Sequence, residues 1–77
     1  MDLKSALEIY MNKYPSYKVG TILHIGDEWV VSARDKETDL ELDISPVSIN
    51  KNTGDIKVFF PPMNIEKMAN ATIVNVE

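Results

Sequence analysis

The sequence predicts an α+β fold: an N-terminal amphipathic helix packed on one face of a curled antiparallel sheet of about four to five strands, with a short C-terminal helix. Three observations predict it. Apolar residues recur at helical spacing over residues 3–14, apolar and polar residues alternate between residues 17 and 60, and a second helical stretch follows residue 64. The 77 residues form one domain, 1–77, because a chain this short supports one thin core.

The first helix presents one apolar stripe. Its members are Leu3, Ala6, Leu7, Tyr10, Met11 and Tyr14. Asp2 is placed to cap the helix N-terminus, and Pro15 prevents the helix from continuing. Such a stripe needs an apolar surface to cover, which a sheet supplies.

Two strands joined by a tight turn at Gly26-Asp27 come next. Alternation places Tyr17, Val19, Leu23 and Ile25 on one face of the first strand. In the second strand it places Trp29, Val31 and Ala33 on one face. The segment "DLELDI", residues 39–44, then predicts a third strand whose buried face carries Leu40, Leu42 and Ile44.

The remaining elements are shorter. Pro46 interrupts the ladder of backbone hydrogen bonds, and "VSINKNTGDIKVFF" predicts a hairpin with Val47 and Ile49 before the turn. After the turn come Ile56, Val58 and Phe60, and Pro61-Pro62 ends that strand. Asn64 can cap a short helix with Ile65, Met68 and Ala69 facing inward, and "ATIVNVE" predicts an edge strand or an ordered tail.

Composition limits the classes of partner. The net charge is −4 and the isoelectric point about 4.8, and the lysines and arginine are scattered, so the basic footprint of a nucleic-acid-binding protein is missing. The chain has no cysteine, no signal-peptide pattern and no apolar run long enough to span a bilayer. These features predict a cytoplasmic protein that does not contact membranes.

Catalytic and metal-binding patterns are also missing. His24 is the single histidine, the glycines are dispersed, and no serine lies in a G-x-S-x-G elbow. The acidic segment starting at Asp35 fails as an EF-hand, because Leu40 occupies the glycine position and Pro46 the glutamate position. We therefore expect no enzyme activity, no metal and no cofactor.

Five carboxylates recur at every second position in the middle of the chain, and we call them the acidic row. They are Asp35, Glu37, Asp39, Glu41 and Asp43. On a strand they would project to one face about 6.6 Å apart. Two interpretations are open: a solvated face that protects a sheet edge, or a surface that attracts a basic partner. The second interpretation makes the acidic row the contact surface, supported by Asp27 and Glu28 at the neighbouring turn.

Aromatic residues are the candidate anchors of such a contact. Tyr17 follows Pro15-Ser16 and is expected to be partly exposed and to contact the partner. Tyr10, Tyr14 and Trp29 carry the same chemistry, but their positions on the apolar stripe and strand face favour core packing.

Two blocks of the sequence resemble a known family. "EWVV" at Glu28–Val31 and "PVSINKNTGDI" at Pro46–Ile56 resemble, in the same order, motifs of the immunity protein 35 family of polymorphic toxin systems. The resemblance implies a non-catalytic bacterial protein that binds and neutralises a cognate protein toxin. Many such toxins are basic nucleases, which an acidic surface suits. The alternative is a non-catalytic adaptor or chaperone-like module that uses a sheet edge or an apolar groove. The sequence does not predict an oligomeric state.

Overall fold

The computed structural model describes residues 1–59 and 65–74 and has the predicted α+β fold. Its elements are α1 (Leu3–Lys13), β1 (Tyr17–Ile25), β2 (Glu28–Asp35), β3 (Val47–Asn50), β4 (Ile56–Val58), α2 (Ile65–Ala69) and β5 (Thr72–Val74). The strands form an open antiparallel sheet in the order β4-β3-β2-β1-β5, and α1 covers one face. The predictions for Phe60, Pro61, Pro62 and Asn64 lie outside the described residues.

Local signals set the limits of α1 as predicted. The Asp2 carboxylate accepts a hydrogen bond from the Ser5 backbone N–H at 2.9 Å, and this bond keeps the pKa of Asp2 below its ordinary value. The helix ends at Lys13, before Pro15. Met11 is exposed, so its predicted place in the buried stripe is wrong. Neither helix in the described part of the chain has the length and apolar content needed to cross a membrane.

A β-bulge interrupts the pairing of β1 with β2. The register on either side of it is given by two pairs: Val19 with Ala33, and Ile22 with Val31. Gly20 and Thr21 therefore lie together opposite Ser32. The Ser32 hydroxyl accepts a hydrogen bond from the Thr21 N–H at 2.8 Å and donates one to the Thr21 carbonyl at 3.3 Å. One side chain thus bonds both peptide groups of a residue displaced from the regular ladder.

The bulge reverses which residues face α1. Tyr17 and Val19 lie on the α1 face, and after the extra residue Ile22 lies there as well. Leu23 and Ile25 consequently lie on the opposite face, so the prediction that they share a face with Tyr17 and Val19 is wrong.

Each face of the sheet has its own apolar cluster. On the α1 face the buried members are Ala6, Tyr10, Ile22, Trp29, Val31, Val47 and Ile49. On the other face Ile25, Val30 and Phe59 are buried, and Met68 of α2 packs against them. The expected core role of Trp29 is confirmed. Ile65, with 71% of its surface exposed, and Ala69 face solvent, so their predicted inward orientation is wrong.

The predicted strand over "DLELDI" does not form. Residues 36–46, which we call the β2–β3 loop, contact β2 through an isolated bridge between Arg34 and Glu41. Two backbone bonds flank that bridge: Asp35 N–H to the Leu40 carbonyl at 2.9 Å, and Leu42 N–H to the Ala33 carbonyl at 3.0 Å. The loop therefore covers the C-terminal half of β2, while β3 pairs with the N-terminal half.

We expect Gly20→Ala to destabilise the protein by about 1–3 kcal/mol, the usual range for overpacking. A Cβ at this position would lie 2.7 Å from the Ser32 hydroxyl oxygen and 3.1 Å from the Ser32 carbonyl oxygen. Urea unfolding followed by Trp29 fluorescence measures the change. Thr21→Ala, which keeps the bulge backbone, is the matched control and should change stability by less than about 0.5 kcal/mol. Equal midpoints for Gly20→Ala and the wild type would contradict this account of the bulge.

Candidate functional site

The acidic row does not lie along one extended strand. β2 ends at Asp35, residues 36–38 form a turn, and Asp39 has a positive φ of 60°. Glu41 is bridged to β2, whereas Asp43 lies in a bend. The expected geometry, five carboxylates evenly spaced on one face, is therefore wrong, because the chain turns twice within the row.

The carboxylates of two members of the acidic row form contacts within the described part of the chain. Asp35 Oδ1 accepts hydrogen bonds from the backbone N–H groups of Glu37 at 2.8 Å and Thr38 at 3.0 Å. These bonds hold the pKa of Asp35 below its ordinary value, with the Thr38 bond contributing most. The Asp39 carboxylate lies 2.9 Å from Lys18 Nζ and 3.9 Å from Arg34 Nη1. The hydrogen bond from Lys18 is the main cause of a lowered pKa at Asp39.

The other three members point to solvent. Glu37, Glu41 and Asp43 are exposed, and both ion pairs formed among the described residues belong to Asp39. The β2–β3 loop therefore presents three carboxylates to an incoming molecule, in an irregular arrangement.

Asp27 and Glu28 do not join this surface. Asp27 lies in the turn before β2 and Glu28 is the first residue of β2, whereas the β2–β3 loop follows the other end, about 23 Å from Glu28 for seven residue steps along a strand. They line a separate open depression of about 550 Å³ beside Glu66 and Lys67 of α2. The expectation that they support the acidic row from a neighbouring turn is wrong.

The β2–β3 loop also exposes apolar side chains that were predicted to be buried. Leu40 has 67% of its surface exposed and Ile44 49%, while Leu42 is half-buried. Because the loop pairs with β2 only around Glu41 and does not continue as a strand, the alternating sequence places Leu40 and Ile44 at the surface together with the carboxylates.

Three tyrosines form the wall of a cavity of about 350 Å³ beside this loop, which we call the tyrosine groove. The ring centroids of Tyr10 and Tyr14 are 5.2 Å apart, and those of Tyr14 and Tyr17 are 5.9 Å apart with nearly parallel planes. Tyr10 is buried, and burial is the main cause of its raised pKa. Tyr14 and Tyr17 are partly exposed, as was expected of Tyr17.

The rest of the groove is apolar or uncharged. Its other lining residues are Val31, Ala33, Ile44, Ser45, Val47 and Val58. Ile44 also lines a second cavity of about 240 Å³, which lies against Val30 and Phe59 on the other face of the sheet. The β2–β3 loop thus borders one cavity on each face of the sheet. Both cavities lie beside β2, where the part of β2 that pairs with β3 meets the part that contacts the loop.

His24 forms a contact within the fold. Its Nε2 hydrogen-bonds the Lys51 ammonium group, which also lies 5.1 Å from the centroid of the Trp29 ring. Since the ammonium group can only donate, this bond requires Nε2 to be the acceptor. For His24 to accept a proton from a substrate through Nε2, the hydrogen bond with Lys51 would first have to break. Within residues 1–59 and 65–74, no group of three or more histidine, aspartate or glutamate side chains is arranged to hold a metal ion.

Comparison with known proteins adds no relative. No family model, curated protein or solved structure matches this chain. The functional proposal therefore depends on the two surfaces described above, the β2–β3 loop and the tyrosine groove.

The sequence carried part of the signal for the tyrosine groove. Tyr10 and Tyr14 are four residues apart and so share a helix face, and Tyr17 follows after a proline turn. The missing information was the bulge, because it decides that Tyr17 and Ile22 face the same helix.

We expect the protein to lose stability at low pH, because protonation of Asp35 and Asp39 weakens the hydrogen bonds that their carboxylates form at the β2–β3 loop. Both carboxyls have a folded-state pKa below the ordinary 3.8, so their stabilising contribution is present above that value and is lost as the pH falls through the lower folded values. We expect the stability of Asp35→Asn to depend less steeply on pH below about 5 than that of the wild type. Urea midpoints measured from pH 6 to pH 2 give both slopes. Asp43→Asn is the matched control in the same loop, and a slope equal to that of Asp35→Asn would contradict the turn-capping role.

Proposed function

We propose that this chain is a non-catalytic protein inhibitor of the immunity type, which binds and neutralises a basic protein toxin through the β2–β3 loop. The observation that carries the proposal is the exposure of Leu40 and Ile44 in the same loop as the exposed carboxylates Glu37, Glu41 and Asp43. Aliphatic anchors surrounded by charge are typical of a protein-binding surface, where a desolvated centre is ringed by polar residues.

The exposed aliphatic side chains argue against a plain solvated face. Burying a Leu or Ile side chain is worth about 1.5–3 kcal/mol, and this small domain leaves Leu40 and Ile44 largely in water. A loop that served solubility alone would carry polar residues at both positions. A partner that covers them recovers that stabilisation.

The loop is also held in place before binding. Backbone bonds from Asp35 and Leu42, the turn capped by the Asp35 carboxylate, and the ion pair between Lys18 and Asp39 fix its course. A loop that is already ordered loses little conformational entropy on association, which favours affinity.

The negative charge of the protein and of the loop favours a basic partner. The protein has a net charge of −4, and three exposed carboxylates of the loop attract a basic surface and raise the rate of association. A nuclease toxin has such a surface, because it must bind phosphate. The resemblance of "EWVV" and "PVSINKNTGDI" to immunity proteins supports the same class of function.

A second candidate is an adaptor or chaperone-like module that binds apolar segments. The tyrosine groove favours it, since none of the residues found to line this cavity is charged and Val58 at its side has 66% of its surface exposed. The two candidates differ in the salt dependence of association. The association rate through the acidic loop falls as ionic strength rises, whereas the association rate of an apolar segment with the groove does not.

The double reversal Glu37→Lys with Glu41→Lys should slow association with the toxin about tenfold or more at low salt, within the range of electrostatic steering. The toxin to use is the product of an adjacent toxin-like reading frame, and surface plasmon resonance at several salt concentrations gives both rate constants. Glu8→Lys with Glu66→Lys changes the net charge equally at exposed positions on the two helices and should have a much smaller effect. Full neutralisation by the loop reversal would eliminate the loop as the contact surface.

The apolar anchors are tested separately. Leu40→Ser with Ile44→Ser should weaken toxin binding about thirtyfold or more through faster dissociation, since each truncated anchor is worth at least about 1 kcal/mol at a binding surface. Ile73→Ser on β5, equally exposed and apolar, is the matched control. An unchanged dissociation rate would show that the aliphatic side chains of the loop do not enter the interface.

A further inference from the structure

The tyrosine groove combines aromatic ring faces with an aliphatic wall. Tyr14 and Tyr17 are stacked and partly exposed, and the exposed side chains of Ile44 and Val58 lie in the same cavity. A flat group with an apolar stem fits such a surface: its plane can stack on a tyrosine ring and its stem can cover the aliphatic residues.

Acidic residues next to the groove favour a cation as its ligand. Asp35 pairs with Tyr17 across β1 and β2 and follows Ala33 by two positions, so its carboxylate belongs to the groove side of the sheet. Asp43 precedes Ile44 in the β2–β3 loop and is exposed. Each of these carboxylates belongs to a residue adjacent to a lining residue of the groove, Tyr17 or Ile44, although neither carboxylate is part of the lining itself.

The nearest basic residues of β1 and β2 belong to the opposite face. Lys18 and Arg34 pair with each other in the register and alternate with the groove residues, and both contact Asp39. Their positive charge is thus held by a carboxylate on the side of the sheet away from the tyrosines. A cation entering the groove meets aromatic and aliphatic side chains, and Asp35 is the cross-strand neighbour of Tyr17 on the same face of the sheet.

We propose that the tyrosine groove binds an arginine side chain of the basic partner, with the guanidinium group stacked on Tyr14 or Tyr17 and the methylene stem against Ile44 and Val58. This inference rests on the proposed function and names the residue type that the partner contributes. Arginine fits better than lysine, because its planar guanidinium group is weakly hydrated and stacks on aromatic rings. It fits better than an aliphatic side chain, because Asp35 and Asp43, which neighbour lining residues of the groove, attract a cation and not a neutral group.

Small amides test the groove without the toxin. The full chain is titrated with N-acetyl-arginine methylamide and, separately, with the lysine, citrulline and norleucine analogues, while NMR follows the tyrosine ring, Ile44 and Val58 signals. We expect millimolar binding of the arginine amide, at least about fivefold tighter than the citrulline and norleucine amides, and weakened by salt. Citrulline has nearly the shape of arginine without its charge, so it separates charge from fit.

Substitutions locate the contact. Tyr14→Leu should weaken arginine binding about fivefold, and Tyr14→Phe should retain it, because a phenylalanine ring preserves the cation–π contact. Equal binding of the norleucine and arginine amides would overturn the proposal in favour of an apolar ligand. Absence of shifts at the groove signals would overturn it outright.

The outcome is separable from that of the proposed function. If Glu37→Lys with Glu41→Lys abolishes neutralisation while the arginine amide leaves the groove signals unchanged, the inhibitor role stands and the groove proposal fails. If the arginine amide binds but the loop variants neutralise the toxin fully, the groove proposal stands and the loop proposal fails.

Discussion

The hydroxyl group of Ser32 bonds both peptide groups of Thr21, and the arrangement of the sheet depends on this contact. A residue displaced from a β-ladder loses its regular partners, and its N–H and C=O groups must be satisfied in another way. The serine side chain does this at 2.8 and 3.3 Å, so the extra residue in β1 is accommodated within the paired strands.

The consequence is a change of face within a single strand. Before the bulge, Tyr17 and Val19 lie under α1; after it, Ile22 takes the α1 face and Leu23 and Ile25 move to the other side. Without the extra residue, a regular period of two would place Ile22 on the face opposite Val19. The bulge therefore allows the sheet of a 77-residue chain to build a core on both faces, with Tyr17 on the same face as Tyr10 and Tyr14.

The sequence predicted the elements whose causes are local. The cap at Asp2, the stop at Pro15 and the hairpin turn at Gly26 involve neighbouring residues, and each was predicted where it occurs. The bulge was missed because its signal is a serine eleven residues away in the partner strand. The prediction of a strand over "DLELDI" was wrong for a similar reason. The alternation is present in the sequence, but contacts with residues distant in the sequence determine the path of the loop.

Those contacts also show why a row of like charges in sequence is not a row in space. Lys18 hydrogen-bonds Asp39, twenty-one residues away in the sequence, and the Asp35 carboxylate accepts a hydrogen bond from the turn that follows it. The repulsion between evenly spaced carboxylates, expected on a straight strand, is relieved by two turns and two cations. What is left exposed is a shorter set of acids with aliphatic residues between them.

The sheet then separates charge by face. Arg34 and Asp35 are adjacent in sequence, yet the period of two places Arg34 on the face where it contacts Asp39 and Asp35 on the face of Tyr17. A positive side chain on the same face as the tyrosines would repel any incoming cation and occupy the rings itself. Because Lys18 and Arg34 lie on the far side and contact Asp39 there, they do not occupy the faces of the tyrosine rings. The same alternation that builds the core thus also keeps the cations of β1 and β2 off the face that carries the groove.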